Sequence, residues 1–78
     1  MFELTQLEKQ LLEDFNNLGF GSIEFWYLDE ETRIPTSKLR GVISSLVQKN
    51  ILRKFKSEGE SMIGYVSKEI QEQIKKQL

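Results

Sequence analysis

The chain has 78 residues, a formal net charge of −1, no Cys and no His. These absences exclude disulfides and the usual Cys or His metal sites, and they remove the side chains most used in acid–base and nucleophilic catalysis, so we expect no enzyme, no metal and no cofactor. So short a chain buries a modest core, and a second copy is the natural source of further buried area.

The first predicted element is an amphipathic helix over about residues 5–18. Thr5 followed by Glu8 forms the pattern of a capping box, which opens a helix. Gly19 is a plausible stop at the other end. Between them, apolar side chains recur at helical spacing and form one stripe: Leu7, Leu11, Leu12, Phe15 and Leu18.

The segment after Gly19 is ambiguous between a helix and a strand. Gly21 and Ser22 indicate a turn, and Ser22 can cap a helix over about residues 22–31. The run from Ile23 to Leu28 is rich in β-forming residues, so a short strand is the alternative. We favour the helix because of the elements that follow it.

The next helix is predicted over about residues 37–49. Pro35 cannot lie inside it, and Thr36 or Ser37 can cap it. Asn50 tolerates the left-handed conformation and can end it. Its apolar face consists of Leu39, Ile43 and Leu46, with Val42 and Val47 at the edges.

A β-hairpin over about residues 51–66 follows, with a polar turn around Gly59. Strand alternation places Lys54 and Lys56 opposite Phe55, which we expect to pack inward. Ser67 can cap a last helix over about residues 68–78. Its narrow apolar stripe consists of Ile70, Ile74 and Leu78. This stripe suits either packing on the first helix or dimerisation, and we favour dimerisation.

The small net charge hides a strong segregation of charge along the chain. Residues 1–32 carry eight acids and one base, and residues 58–78 carry four acids and three bases. Residues 33–57 carry seven bases and no acid. Because salt screens charges beyond about 10 Å, a polyanion responds to such a local patch and not to the average.

Targeting features are absent from the printed sequence. No apolar run approaches the roughly 20 residues that span a bilayer. The first ten residues, MFELTQLEKQ, lack the basic start and apolar stretch of a signal peptide. We therefore expect a single cytoplasmic domain over residues 1–78 with no membrane contact.

The stretch IPTSKLRGVISSLVQKNILRKFK resembles the recognition helix and first wing strand of winged-helix transcription regulators, and GYVSKEI resembles the strand that returns from the wing into a terminal helix. The resemblance covers about two-thirds of the chain. It implies an α+β fold, a small winged helix-turn-helix with a three-helix core, a two-stranded wing and a C-terminal helix. It also implies double-stranded DNA as the partner, with the third helix in the major groove, and a homodimer.

The residues of that helix fit this role on physical grounds. At 100° per residue, Ser37, Gly41, Ser44 and Gln48 point away from its apolar face. Small and polar side chains suit base edges, and flanking cations suit phosphates. The predicted DNA-binding residues are Arg33, Thr36, Ser37, Lys38, Arg40, Gly41, Ser44, Ser45, Gln48, Arg53, Lys54 and Lys56.

Several alternatives stay open at this point. The same strip can be an ordinary solvated helix face, and the fold can serve as a protein-interaction module in a larger assembly. Phe25, Trp26 and Tyr27 can be core residues, stacking platforms for single strands, or, for Trp26, part of a dimer interface. The acidic turn, Glu58-Gly59-Glu60, departs from the basic wing tips common among DNA-binding relatives. No small-molecule substrate is evident.

Overall fold

The structure is a computed structural model that describes residues 1–19 and 21–78. Over these residues the fold is α+β, with four helices and one three-stranded antiparallel sheet. The elements in chain order are α1 (Gln6–Asn17), β1 (Ser22–Glu24), α2 (Phe25–Glu31), α3 (Thr36–Gln48), β2 (Leu52–Ser57), β3 (Glu60–Tyr65) and α4 (Lys68–Gln77).

The helix ends follow local rules that the sequence displays. At the start of α1 the Glu8 N–H donates to Thr5 Oγ1 at 3.1 Å, and the Thr5 N–H donates to Glu8 Oε1 at 2.7 Å. The predicted capping box is therefore confirmed. Gly19 after α1 and Asn50 after α3 both have left-handed backbones, with φ of 76° and 60°. At the start of α4 the Ser67 hydroxyl accepts the Ile70 N–H at 3.2 Å.

The segment 22–31 contains both of the structures that its sequence suggested. Ser22–Glu24 is a strand, and it pairs antiparallel with β3 through the partners Ser22↔Gly64 and Ile23↔Ile63. The helix begins only at Phe25, and its N-cap residue Glu24 makes no side-chain capping bond. A helix over 22–31 is therefore wrong for the first three residues, because β3 offers them a ladder of backbone partners.

Phe55 lies on the outer face of the hairpin, and our prediction that it packs inward is wrong. Cross-strand partners share a face, and Lys54 pairs with Ile63, which is 2% exposed. Lys54 and Lys56 therefore lie on the face of the sheet that the core covers. Phe55 pairs with Met62 on the other face and is half-buried there, outside the core cluster.

Gly64 explains how Phe55 is accommodated on the outer face. A Cβ at Gly64 would lie 2.8 Å from Ser22 Cβ and 3.4 Å from Phe55 Cε1. Contacts under about 3 Å are not tolerated in packed protein. The absence of a side chain at Gly64 thus lets β1 and the Phe55 ring close over β3.

One apolar core joins the helices to the inner face of the sheet. Every helix and strand contributes at least one fully buried side chain to it. The Phe15 and Tyr65 rings pack edge to face with centroids 5.2 Å apart, and the Tyr65 hydroxyl donates to Asn16 Oδ1 at 2.6 Å. Burial raises the pKa of Tyr65 to about 12, against the lowering effect of the Asn16 bond. This phenol therefore stays neutral through the physiological range.

The position of α4 corrects the predicted dimerisation stripe. Ile74 is 0% exposed and belongs to the core, and Ile70 is half-buried against it, whereas Leu78 is 39% exposed. Ile74 is therefore not available to a second copy, because this chain already buries it. Gln77 anchors the helix further through two hydrogen bonds to the backbone of Phe2. None of the helices in the described ranges has the length and apolarity needed to span a membrane.

Candidate nucleic-acid interface

A groove separates α3 from the β2–β3 hairpin, and we call it the α3–hairpin groove. Its cavity volume is about 400 Å³. One wall is the flank of α3 and the other is the β2–β3 hairpin, and the first residue of α2 also lines the groove. The groove is lined by Phe25, Arg40, Ile43, Ser44, Lys54, Phe55, Lys56, Ser61, Met62 and Ile63.

The groove gathers three cations over an apolar floor. Arg40 comes from α3, and Lys54 and Lys56 come from the face of β2 that points toward it. Ile43 and Ile63, both nearly fully buried, form part of the floor. Within residues 1–19 and 21–78, every ion pair involves either Arg33 or Lys49, so the three groove cations have no carboxylate partner there. The groove is a cationic surface available to an anion.

The outer strip of α3 lies beside this groove. Ser37, Gly41 and Gln48 are exposed, and Ser44 is half-buried at the groove edge. A Cβ built on Gly41 meets no atom within 4 Å. No contact within the described chain therefore requires a glycine at position 41. Glycine inside a helix costs about 1 kcal/mol relative to alanine.

Lys38 lies on the opposite flank of α3 from Arg40. At 100° per residue the two side chains are separated by about 160° around the helix axis. Lys38 is exposed, and it shares its flank with Ser45 and Lys49, which face α1. The predicted cations therefore border the outer strip of α3 on both sides, with Lys38 outside the groove.

Arg33 does not join this surface. Its Nε and Nη2 lie 2.9 and 2.8 Å from Asp14 Oδ1, and its backbone N–H donates to Asp14 Oδ2 at 2.9 Å. Burial raises the pKa of Asp14, but the hydrogen bonds from Arg33 and Thr32 outweigh it and leave that pKa below its ordinary value. Glu13 Oε1 is a further 3.7 Å neighbour of the guanidinium. Arg33 therefore forms an ion pair that fastens α1 to the loop before α3, and its role in DNA contact stays a prediction.

Ser45 is also committed within the chain. Its hydroxyl donates to Glu8 Oε2, and Lys49 Nζ lies 2.6 Å from Glu8 Oε1. Glu8 is 1% exposed. Burial raises the pKa of Glu8, but the bonds from Lys49, Ser45 and Thr5 outweigh it and keep that pKa below its ordinary value. Ser45 therefore joins α3 to α1, and it does not belong to the outer strip.

The start of α3 makes contacts within the chain. Pro35 is the N-cap residue, and neither Thr36 nor Ser37 caps the helix. The Thr36 hydroxyl donates to Asp29 Oδ1 at 2.8 Å. A carboxylate already lies at the positive end of the helix dipole, and it disfavours a second anion there. Thr36 thus links α2 to α3, and its DNA contact stays a prediction.

The remaining predicted residue, Arg53, lies on the outer face of the hairpin. Its guanidinium carbon is 4.2 Å from the centroid of the Phe55 ring. Arg53 is exposed but does not line the α3–hairpin groove. The acidic turn residues Glu58 and Glu60 are exposed at the end of the hairpin.

Sequence reasoning missed one aromatic side chain of the groove. Phe25 is half-buried, and the Arg40 guanidinium carbon lies 4.6 Å from its ring centroid. The available signal was the alternation of Ile23 and Phe25, which places both on the inner face if the segment starts as a strand. Among the described residues, no group of three or more potential ligands is arranged to hold a metal ion.

Comparison with known proteins gives one informative likeness. No protein-family model matches the chain, and no curated protein matches it. In fold the chain is similar to BpsR of Bordetella bronchiseptica, in a structure concerned with the regulation of DNA binding of BpsR by 6-hydroxynicotinic acid, with a TM-score of 0.66 and 19% identity. The match covers 95% of this chain and 60% of the BpsR chain, so this chain spans about three-fifths of the length of that protein.

Proposed function

We propose that this chain is a winged-helix protein that binds duplex DNA without chemistry, as a transcription regulator or a DNA-binding accessory factor. In this proposal α3 enters the major groove and the β2–β3 hairpin is the wing. The observation that carries it is the α3–hairpin groove, where Arg40, Lys54 and Lys56 lie together with no carboxylate partner in the described chain.

The physical fit to a duplex has two parts. The major groove is about 12 Å wide and admits one α-helix. The small residues Ser37, Gly41 and Ser44 let the backbone of α3 approach base edges, and the two serine hydroxyls can donate or accept there. Lys54, Lys56 and Lys38 then meet the phosphates on either side. Fold similarity to BpsR, whose structure concerns DNA binding, supports the same assignment.

The rival binding modes have less support. A protein-interaction module needs large apolar side chains on the docking face. Among residues 1–19 and 21–78 the exposed large apolar residues all lie outside α3: Met1, Trp26, Val66 and Leu78. A single-strand platform needs a row of open rings, but Phe25 lies under Arg40 and only Trp26 of the three neighbouring aromatics is exposed.

The homodimer remains part of the proposal in a modified form. The core already contains Ile74, so a second copy would use surface outside the centre of the α4 stripe. Two-fold symmetric half-sites in a selected DNA consensus would reveal such a dimer.

Removing the two hairpin lysines tests the proposed function. We expect K54Q/K56Q to bind duplex DNA about tenfold more weakly, with the slope of log K against log salt reduced by about two, because each lysine that meets a phosphate releases about one counterion. The measurement is fluorescence anisotropy of labelled duplex and single-stranded oligonucleotides at several salt concentrations.

The matched control is K75Q/K76Q, which makes the same charge change on exposed residues of α4. It should keep the affinity and slope of the unmodified chain. Equal losses in both variants would mean that only overall charge matters, and tighter binding to single strands than to duplex would contradict the proposal.

Gly41 provides a second test, in which stability and affinity change in opposite directions. We expect Gly41→Ala to raise the free energy of unfolding by about 0.5–1 kcal/mol, since a mid-helix Cβ has open space here. Duplex affinity should fall about fivefold, because a methyl group obstructs the close approach of α3 to bases. Urea denaturation and anisotropy measure the two effects, and Gln73→Ala on α4 is the control. Unchanged affinity in Gly41→Ala would place α3 farther from the bases.

A further inference from the structure

Arg40 differs from the two groove lysines in how it is held. Its guanidinium carbon lies 4.6 Å from the centroid of the Phe25 ring. Phe25 is the first residue of α2, and it packs against the core, so the ring is a fixed platform. A planar guanidinium that stacks on a ring keeps its five N–H donors in its own plane, and stacking leaves them available. No carboxylate of the described chain pairs with them.

We propose that Arg40 reads a guanine in the major groove and that Phe25 is the positioning residue that orients its guanidinium for this contact. The inference rests on the proposed function and adds the base that the site selects. Arginine donates two parallel hydrogen bonds to O6 and N7 of guanine, which is the commonest specific contact in the major groove. Lysine cannot make that fork in one plane.

The location of Arg40 favours a base over a phosphate. Arg40 lies on α3, at the edge of the outer strip next to Ser44, and both line the groove. Lys54 and Lys56 lie on the facing hairpin wall, where flexible point charges suit phosphates. Stacking on Phe25 restricts the long arginine side chain before binding, so less conformational entropy is lost when its donors meet a base.

Arg53 shows that stacking alone does not define this role. It has the same kind of contact with Phe55, at 4.2 Å. Arg53 lies on the outer face of the hairpin and does not itself line the groove, although Phe55 does. Of these two arginines, Arg40 alone lines the groove. Its contact with a ring and its place in the groove together favour Arg40 as the residue that contacts a base.

The test is a selection from random duplexes at physiological salt, followed by affinity measurements on the consensus and on single-base changes. For the unmodified chain, we expect one guanine whose replacement weakens binding about 10- to 100-fold. In R40K that preference should fall to about twofold, whereas affinity for unrelated duplex should change less than affinity for the consensus, because the charge is kept. F25L should weaken the same preference. F25Y keeps the aromatic ring and should retain the preference.

The results distinguish failure of the guanine contact, failure of the role of Phe25 and failure of the proposed function. A guanine preference that persists in R40K, or a consensus without a dependent guanine, overturns the inference and leaves the proposed function intact. A preference equal in F25L and F25Y overturns the role of Phe25. Combining F25L with R40K should weaken the preference no further than R40K alone, since Phe25 acts through Arg40. If the unmodified chain does not bind unrelated duplex in the same assay, the proposed function itself fails.

Discussion

Replacing Lys49 by Met is expected to lower the free energy of unfolding by about 3 kcal/mol at neutral pH. The variant leaves the buried carboxylate of Glu8, 2.6 Å from Lys49 Nζ, without its cation. Removing one partner of a buried ion pair costs about 3–5 kcal/mol. We expect the low end because the Lys49 side chain is 35% exposed, so solvent already screens part of the interaction. Urea denaturation with a fixed m-value measures the change.

The matched variant is the double substitution E8Q/K49M. An uncharged amide at position 8 can still accept the Thr5 N–H, and it removes the unpaired charge, so most of the lost stability should return. Lys49 Nζ also donates to the Glu3 carbonyl at 2.8 Å, and that bond remains absent in both variants. If the double variant is no more stable than K49M, the cost comes from Lys49 packing and not from the uncompensated carboxylate.

The ion pair between Glu8 and Lys49 also predicts that the free energy of unfolding depends on pH with opposite sign in the unmodified chain and in K49M. In the unmodified chain the folded-state pKa of Glu8 lies below its ordinary value, so its stabilisation is present above the ordinary carboxyl range and is lost as pH falls through the folded pKa. In K49M burial is no longer offset by Lys49, the pKa rises, and lowering the pH should stabilise the folded state relative to neutral pH. Unfolding curves between pH 7 and the acid range, compared for both proteins, give the sign.

Reversing the charge of Arg40 is expected to have the largest effect on binding. We expect Arg40→Glu to weaken duplex binding at least about 100-fold, because the variant loses a cation and places an anion in the negative potential of the duplex. The free energy of unfolding should change little, since the side chain is exposed and its one described contact is the Phe25 ring. Anisotropy and urea denaturation, run on the same preparation, separate the two effects.

Two further reversals make the result specific. Lys68→Glu makes the same change of charge, from positive to negative, at the start of α4, where the helix dipole favours an acid. It should leave duplex affinity near that of the unmodified chain. Arg53→Glu on the outer face of the hairpin should have a smaller effect than Arg40→Glu. Equal losses at Arg40 and Lys68 would contradict a binding surface centred on the α3–hairpin groove.

Local chemistry determined several elements of this protein directly from the sequence. The α1 stripe with its Thr5–Glu8 capping box, the left-handed Asn50 after α3 and the Ser67 cap of α4 involve residues within about one or two turns of each other. Such signals depend on the backbone and side-chain chemistry of residues close together in the sequence. The acid-free run of residues 33–57 likewise indicated where a cationic surface would be found.

Packing between distant segments decided which cations are available. Arg33 and Lys49 belong to that run, yet Asp14 and Glu8 of α1 neutralise them across separations of 19 and 41 residues. Neither pairing follows from local spacing. It is set by how α1 crosses α3 in the core, and it leaves Arg40, Lys54 and Lys56 as the groove cations.

The faces of the sheet were also decided by the tertiary structure. Alternation in the sequence separates Phe55 from Lys54 and Lys56, but it does not say which side the core covers. The pairing of Lys54 with Ile63 decides it, and the lysines therefore face α3. The strand character of residues 22–24 and the burial of Ile74 have the same origin, because their partners lie tens of residues away in the chain. The sequence by itself therefore determined α1, α3, α4 and the cationic segment. Long-range packing decided which side chains of that segment meet in one groove.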